Sequence, residues 1–239
     1  MKLTLPAYSY AHIWKLHVPC FRFKLSRWFE WLSYDERSRS QRFFKLEDRE
    51  RFILSRGGLR YLLACYLTCA PESLIFAYNS YGKPSLLAPH DSLYFNVAHS
   101  GAWVIYVVGS QKFLGVDVEQ ITLRTRLGGF QTRLDGLIEY CLTPNEQAIL
   151  PTSHFEKLES FFKYWTVKEA HLKAIGLGLS YPMIDVEIAW LPEPKLVIPA
   201  KINKAPTDWT VKLWSPANDT IAAVCVGQLS SQVIIRSFP

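Results

Sequence analysis

Residues 161–179 have the sequence FFKYWTVKEAHLKAIGLGL, and this stretch decides the fold that we predict for the chain. At 3.6 residues per turn, Glu169 and Lys173 lie one turn apart, while aromatic and aliphatic residues form a separate stripe. Gly176 and Gly178 follow, and a glycine at this place suits a left-handed helix cap. A surface pair at this spacing contributes only about 0.3 to 0.5 kcal/mol. The aromatic neighbours favour a buried helix that presents a carboxylate and an ammonium group together.

The composition is typical of a folded globular protein. The 239 residues are 49% hydrophobic and 14% aromatic, which suffices for one large domain or two small ones. The longest apolar run, residues 102–108, is far shorter than the roughly 20 residues of a membrane-spanning helix. The first residues mix a proline and polar residues into the region that would form a signal-peptide core. We therefore expect a cytoplasmic protein with no membrane partner.

The five cysteines do not predict a disulfide framework or a zinc site. Their number is odd, and they form neither a CxxC motif nor a cluster with histidine. We assign no chemistry to them.

The net charge of +6 is unevenly distributed between the two parts of the chain. Residues 1–112 contain 15 basic and 8 acidic side chains, whereas residues 113–239 contain 12 and 13. The basic part is expected to attract an anionic ligand or an acidic protein partner. A nucleic-acid-binding function is the last of three hypotheses for this chain. A steep salt dependence of binding to arbitrary DNA or RNA would indicate it.

The order of elements predicts an α+β fold of two units, residues 1–112 and 113–239. A strand and a short helix are expected in the first 34 residues, and two helices before Pro71. Three strands, at 93–98, 102–109 and 113–119, are expected to form an antiparallel meander. In that meander, His99 would share one end of the sheet with Asp117 and Glu119, which point to one face.

The second unit is predicted to consist of helices followed by strands. Residues 120–136 are expected to form a mobile loop with some helix, suited to docking a partner. Thr143 and Glu146 have the spacing of a helix capping box, which by itself accounts for the acid. Proline-punctuated strands are expected at 185–191, 196–198, 209–214, 221–226 and 232–236.

Three acids, Asp117, Glu119 and Glu169, come together if the predicted central helix packs against the end of the third strand. Carboxylate oxygens without a cysteine or histidine cluster suit Mg²⁺. The cations that would complete a pyrophosphate site are Lys83, His99, Lys168 and Lys173. The alternative for the two strand acids is a charged strand end that faces water.

Four motifs in order carry a family resemblance: GKP at 82–84, FNVAHS at 95–100, GVDVE at 115–119 and WTVKEAHLK at 165–173. Together they resemble the signature of the Sfp-type 4′-phosphopantetheinyl transferases. The resemblance implies a pseudo-twofold monomer of two α+β halves, with the active site and coenzyme A between them. It also implies transfer of the phosphopantetheine arm to a serine of an acidic carrier protein, with release of 3′,5′-ADP.

The resemblance also implies roles for single residues. Asp117, Glu119 and Glu169 would hold Mg²⁺, and Lys173 would neutralise charge on the leaving phosphate. Glu169 resembles the base for the serine, and Glu146 matches an alternative base, so the proton acceptor stays open. The coenzyme A contacts that we predict are Arg39, Lys83, His99, Ser100, Lys168 and Lys173.

Two departures from the family pattern affect the predicted coenzyme A contacts. Ala98 stands where many members have a serine, so a backbone amide or Ser100 must replace that hydroxyl. Glu36 and Arg39 stand where the family has lysines for the 3′-phosphate, and only the arginine can serve there. The runner-up function is a related fold that binds coenzyme A or a nucleotide as a regulator, without turnover.

Overall fold

The computed structural model describes residues 2–7, 10–121, 130–198, 206–227 and 232–239. The first part of the chain forms β1 (Tyr10–His17), α1 (Val18–Phe21), α2 (Leu25–Glu30), α3 (Tyr34–Gln41), α4 (Leu46–Leu67), β2 (Phe76–Tyr78), β3 (Pro84–Leu86), β4 (Tyr94–Ser100) and β5 (Trp103–Gly109). The second part forms β6 (Leu114–Gln120), α5 (Phe130–Cys141), α6 (Pro144–Ala148), α7 (His154–Ile175), β7 (Glu187–Leu191), β8 (Glu193–Ile198), β9 (Thr210–Ala217), β10 (Thr220–Val226) and β11 (Gln232–Ser237).

Local sequence signals explain several helix ends. The predicted capping box of α6 is confirmed, because Thr143 Oγ1 accepts from Glu146 N and Glu146 Oε2 accepts from Thr143 N. Helix α7 ends at the predicted left-handed glycine, since Gly176 has a φ of 84°. At such a φ, a side chain would strain the backbone. The central helix of the sequence is therefore confirmed together with its stop signal.

Two sheets pack face to face in the centre of the molecule. In the first sheet the strand order is β11–β1–β5–β4, and in the second it is β6–β10–β9. Strands β1 and β11 are parallel, and the other pairs of these sheets are antiparallel. The core between the sheets contains Ile13, Val107, Val116 and Val224.

The predicted meander of three strands is wrong in its last member. Strand β4 pairs with β5 as expected, but β6 pairs with β10, with Asp117 opposite Ala223. Strand β1 occupies the second edge of β5, from Ala11 opposite Gly109 to His17 opposite Trp103. Because β5 has no free edge left, β6 joins the second sheet and packs across the first one.

A long helix covers the outer face of each sheet, which gives the molecule two α+β halves. Helix α4 packs Leu59 and Leu63 against Val104 and Tyr106 of the first sheet. Helix α7 packs Val167 and its neighbours against Cys225 and other residues of the second sheet. The α+β fold class is confirmed, and the layers run α4, first sheet, second sheet, α7.

The end of the chain returns to the first sheet. Strand β11 pairs with β1 from Tyr10 opposite Gln232 to Lys15 opposite Ser237. Phe238 then inserts into the first core, where its ring lies 5.8 Å from that of Trp28. The division into units 1–112 and 113–239 stays a prediction, and residues 232–238 pack with the first of them.

Two other predictions concern surfaces. Of the predicted mobile loop at 120–136, residues 122–129 lie outside the described residues and residues 130–136 belong to α5. Its role as a partner surface stays a prediction. Within the described ranges, every helix is too short or too polar to cross a bilayer.

Candidate active site

Helix α7 lies in direct contact with β6 because Gly115 has no side chain. A Cβ atom at this position would lie 2.0 Å from Ala170 O and 2.3 Å from Ala174 N. Both distances are far below van der Waals contact, so any larger residue would push the helix off the strand. This close approach places Glu169 and Lys173 of the helix over the end of β6. The sequence prediction that helix and strand acids converge follows from this contact.

Lys173 joins an acid from the strand and an acid from the helix. Its ammonium group donates to Asp117 Oδ1 at 2.5 Å and lies 3.5 Å from Glu169 Oε2. The side chain of Asp117 is only 4% exposed, whereas that of Lys173 is 28% exposed. The other oxygen of the aspartate, Oδ2, is buried and has no hydrogen-bond partner among the described residues.

Burial and like charge act together on the acid cluster, which we define as Asp117, Glu119 and Glu169. Burial raises the pKa of Asp117, Lys173 opposes this shift, and the two glutamates add to it. Burial acts to lower the pKa of Lys173, but the carboxylates outweigh it, and the pKa lies above its ordinary value. Two acids therefore contact one ammonium group with a third acid close by, and the cluster favours a further cation.

Ser100 orients Glu119. Its hydroxyl donates to Glu119 Oε2 at 2.9 Å and accepts from Gln120 N at 3.1 Å. Burial raises the pKa of Glu119, and the serine hydrogen bond opposes this shift. Ser100 was predicted to contact coenzyme A, but the structure directs its proton to the acid cluster. Ala98 packs in the core between the sheets, so a hydroxyl at that position would be buried.

The carboxylate oxygens of the acid cluster are the type of ligand that a hard metal ion prefers. Asp117 Oδ2 supports a metal site, because it has no hydrogen-bond partner among the described residues. A buried carboxylate oxygen without a partner costs free energy, and a bound cation would remove this cost. Among the described residues, no group of three histidine, cysteine or acidic side chains has the geometry of a metal site in this structure. The ammonium group of Lys173 contacts two of the three acids, so it would have to give way to a metal.

Lys83 connects the first half to the second. Its ammonium group donates to Ala174 O at 2.7 Å and to Leu114 O at 3.1 Å. Burial lowers its pKa to about 8, and the charge of Lys112 adds to this. An ammonium group has three donors, and the described residues accept from two of them, so the third can bind a ligand.

His99 lies in a positively charged surrounding. Its ring is exposed at the end of β4, yet desolvation by the surrounding protein and the charges of Arg51, Lys173 and Arg39 lower its pKa. The predicted residues Arg39 and Lys173 thus both lie close enough to His99 to act on its charge. Sequence reasoning missed Arg51, which pairs with Asp48 at 2.5 Å, because nothing in the pattern separates it from the other arginines of α4.

Lys168 and Glu146 lie outside this site. The ammonium group of Lys168 is fully buried and donates to Glu146 Oε2, Cys141 O and Met183 O, which uses all three donors. Glu146 is 1% exposed, and its other oxygen accepts from Ile188 N at 2.9 Å. The predicted coenzyme A contact of the lysine and the predicted base role of the glutamate would therefore require this buried pair to separate.

Comparison with known proteins finds two family models on adjacent parts of the chain. The model described as 4′-phosphopantetheinyl transferase superfamily matches residues 113–225, and the one described as 4′-phosphopantetheinyl transferase, N-terminal, matches residues 20–112. The chain is 34% identical over 218 residues to the 4′-phosphopantetheinyl transferase HetI of Nostoc sp. strain PCC 7120, covering 90% of this chain and 87% of the relative.

Two further similarities are more distant. The chain is 29% identical over 160 residues to the 4′-phosphopantetheinyl transferase Sfp of Bacillus subtilis strain 168, covering 66% of each chain. The holo-[acyl-carrier-protein] synthase (AcpS) structure from Neisseria meningitidis aligns with a TM-score of 0.40 and 19% identity, covering 49% of this chain and 98% of that chain. The similarity to HetI extends over both halves of the chain.

Proposed function

The chain belongs to the 4′-phosphopantetheinyl transferase superfamily, as its motifs indicated, and we propose how its residues carry out the family reaction. The enzyme transfers the 4′-phosphopantetheine arm of coenzyme A to a serine of an apo carrier protein, giving holo carrier protein and 3′,5′-ADP. One observation carries the proposal for the site. Asp117 and Glu169 converge on Lys173 where β6 meets α7, beside Glu119.

Asp117, Glu119 and Glu169 would hold Mg²⁺. When bound, this metal would offset the negative charge of the pyrophosphate group. The unpartnered Oδ2 atom of Asp117 supports the assignment, and so do the raised pKa values of Asp117 and Glu119. Lys173 would neutralise charge on the leaving phosphate, because its side chain is partly exposed and remains cationic near neutral pH.

Glu169 is the proposed proton acceptor for the carrier serine, directly or through a water molecule. Its side chain is 14% exposed, and its contact with Lys173 is long at 3.5 Å. Glu146, the alternative base, has both oxygens bound within the protein. A base must reach the proton that it removes, so Glu169, which is partly exposed, is the better candidate.

The phosphates of coenzyme A would bind to the cations around the acid cluster. Lys83 donates to two carbonyl groups and can offer its third donor to a phosphate. At His99, the charges of Arg51, Lys173 and Arg39 create a positive field. Arg51 belongs to this set by position. A phosphate near His99 would favour its protonated form, because opposite charges stabilise each other.

The protein partner would be an acidic carrier protein, and one chain would suffice for catalysis. The excess of basic residues at positions 1–112 would attract an acidic partner. Both halves of a single chain contribute to the site, which supports a monomer as the active unit. Fatty-acid, polyketide and peptide-synthetase carriers are all candidate substrates.

Mass spectrometry tests the proposal directly. The wild-type enzyme with coenzyme A and Mg²⁺ should add about 340 Da to an apo carrier protein, the mass of the transferred arm. Glu169→Gln should reduce the rate by more than about 100-fold, with the fold intact. Glu159→Gln is the matched control, because Glu159 lies on the same helix in a surface ion pair with Lys163. No mass gain on any carrier class would overturn the function, and wild-type rates in Glu169→Gln would overturn the role of this acid.

A further inference from the structure

We propose that Asn79 is a positioning residue for the transfer reaction, because it ties a turn of the first half to the end of the catalytic helix α7. The inference rests on the proposed function and adds a residue that the four sequence motifs do not include. Residues 79–83 connect β2 to β3, and Asn79 is the first residue of this turn. Its side chain makes contacts in two directions.

Within the turn, the side-chain oxygen of Asn79 fixes the backbone that carries Lys83. Asn79 Oδ1 accepts from Tyr81 N at 3.0 Å and from Lys83 N at 2.8 Å. The backbone bonds Asn79 N to Lys83 O and Gly82 N to Asn79 O close the turn. Asparagine favours such turns because its short side chain can bind the backbone two residues on. The orientation of Lys83 thus depends on this amide oxygen.

Toward the second half, the side-chain nitrogen of Asn79 binds the end of α7. Asn79 Nδ2 donates to Gly176 O at 2.8 Å, and Lys83 Nζ donates to Ala174 O at 2.7 Å. The last carbonyl groups of a helix have no partner within the helix, so the turn supplies two of the missing donors. The positive charge of the lysine is also favourable at this end of the helix dipole.

The packing at this contact leaves little freedom. A Cβ atom on Gly176 would lie 3.0 Å from Asn79 Nδ2 and 3.2 Å from Lys83 Cδ. Lys173 immediately precedes Ala174 in the chain, and Glu169 lies one turn earlier. A shift of the turn would therefore move both the phosphate-facing lysine of the first half and the catalytic side chains of the second. The side-chain amide of Asn79 couples the two, through its nitrogen on one side and its oxygen on the other.

Two substitutions separate the two contacts of Asn79. Asn79→Ser keeps a neutral oxygen that can accept from the turn, but its short side chain cannot reach Gly176 O. Asn79→Ala removes both contacts. Since misplacement of reacting groups by about 1 Å can cost roughly 100-fold in rate, we expect Asn79→Ser to lower kcat about tenfold at a nearly unchanged KM for coenzyme A. Asn79→Ala should lower kcat similarly and also raise that KM, because Lys83 is no longer fixed.

The matched control is Gln147→Ala, which removes the side-chain hydrogen bond from Gln147 Nε2 to Leu142 O at 2.8 Å, far along the chain from the turn. This variant should keep wild-type kcat and KM. Hydrogen exchange of peptides that cover residues 172–178 provides a readout that does not need activity. Exchange there should increase in both Asn79 variants and stay unchanged in the control.

Each outcome decides the proposal. Wild-type kinetics in Asn79→Ala, or unchanged exchange at residues 172–178, would overturn it. Equal losses of kcat in the control and in the Asn79 variants would also overturn it, because the effect would then be general destabilisation. If the wild-type enzyme modifies no carrier, the proposed function fails, while the exchange experiment still decides whether Asn79 fixes the end of α7.

Discussion

Replacing Lys168 with methionine distinguishes a buried structural cation from a coenzyme A ligand. The ammonium group is fully buried and its three hydrogen bonds end on Glu146 and two backbone carbonyls. Lys168→Met leaves the carboxylate of Glu146 buried without its cation, and breaking one partner of a buried pair costs about 3 to 5 kcal/mol. In a protein of 239 residues, this corresponds to a fall in Tm of roughly 6 to 20 °C.

Thermal unfolding and steady-state kinetics test this reasoning together. The variant should unfold at a much lower temperature, yet its folded fraction at 15 °C should keep the wild-type KM for coenzyme A. Adding Glu146→Gln should recover part of the lost stability, because a neutral amide oxygen can still accept from Ile188 N and needs no cation. A variant with wild-type Tm and a strongly raised KM would refute this account and restore the phosphate role predicted from the motif.

Two further predictions concern Lys83 and Phe238. Because burial lowers the pKa of Lys83 to about 8, its charge is lost as pH rises through 8, and the KM for coenzyme A should increase between pH 7.5 and 9.5 in the wild type but stay flat in Lys83→Met. The unfolded chain keeps this proton up to its ordinary pKa, so the contribution of Lys83 to the unfolding free energy rises over the same pH range in which the affinity for coenzyme A falls. A KM that does not change with pH in the wild type would contradict the assignment of Lys83 to the phosphates. Phe238→Ala should lower the unfolding free energy, measured by urea titration, by about 3 to 5 kcal/mol, because its ring is buried against Trp28 and Tyr106. The control Phe44→Ala removes a fully exposed ring and should change the unfolding free energy by less than about 0.5 kcal/mol. Equal effects of the two substitutions would contradict the packing of Phe238.

The parts of the molecule that local sequence could predict were the helices, their ends and the acids. The aromatic stripe and the glycines of residues 161–179 define α7 and its cap, and the capping box of α6 is visible in four residues. Asp117 and Glu119 were identified because the period of a strand places them on one face. Each of these signals lies within a few residues of the feature that it determines.

The parts that failed depend on contacts between distant residues. Strand β6 was assigned to the wrong sheet, because the sequence does not reveal that β1 already occupies the free edge of β5. Lys168 was grouped with Glu169 as a site residue, but neighbouring helix positions are rotated by about 100°, and the lysine faces the core. Ser100 and Asn79 were not identified as orienting groups, since their partners lie 19 and 97 positions away in the chain.

The parallel pairing of β1 with β11 has a consequence for the synthesis of the protein. The first sheet needs a strand that the ribosome makes more than 200 residues after β1, from Tyr10 to Gln232. At a synthesis rate of about 5 to 20 residues per second, roughly ten seconds or longer pass between the synthesis of β1 and that of β11. During that time one edge of β1 and the aromatic pocket for Phe238 are exposed in the nascent chain. A chain that stops before β11 therefore leaves one edge of β1 unpaired, and an unpaired edge can pair with the strand of another chain.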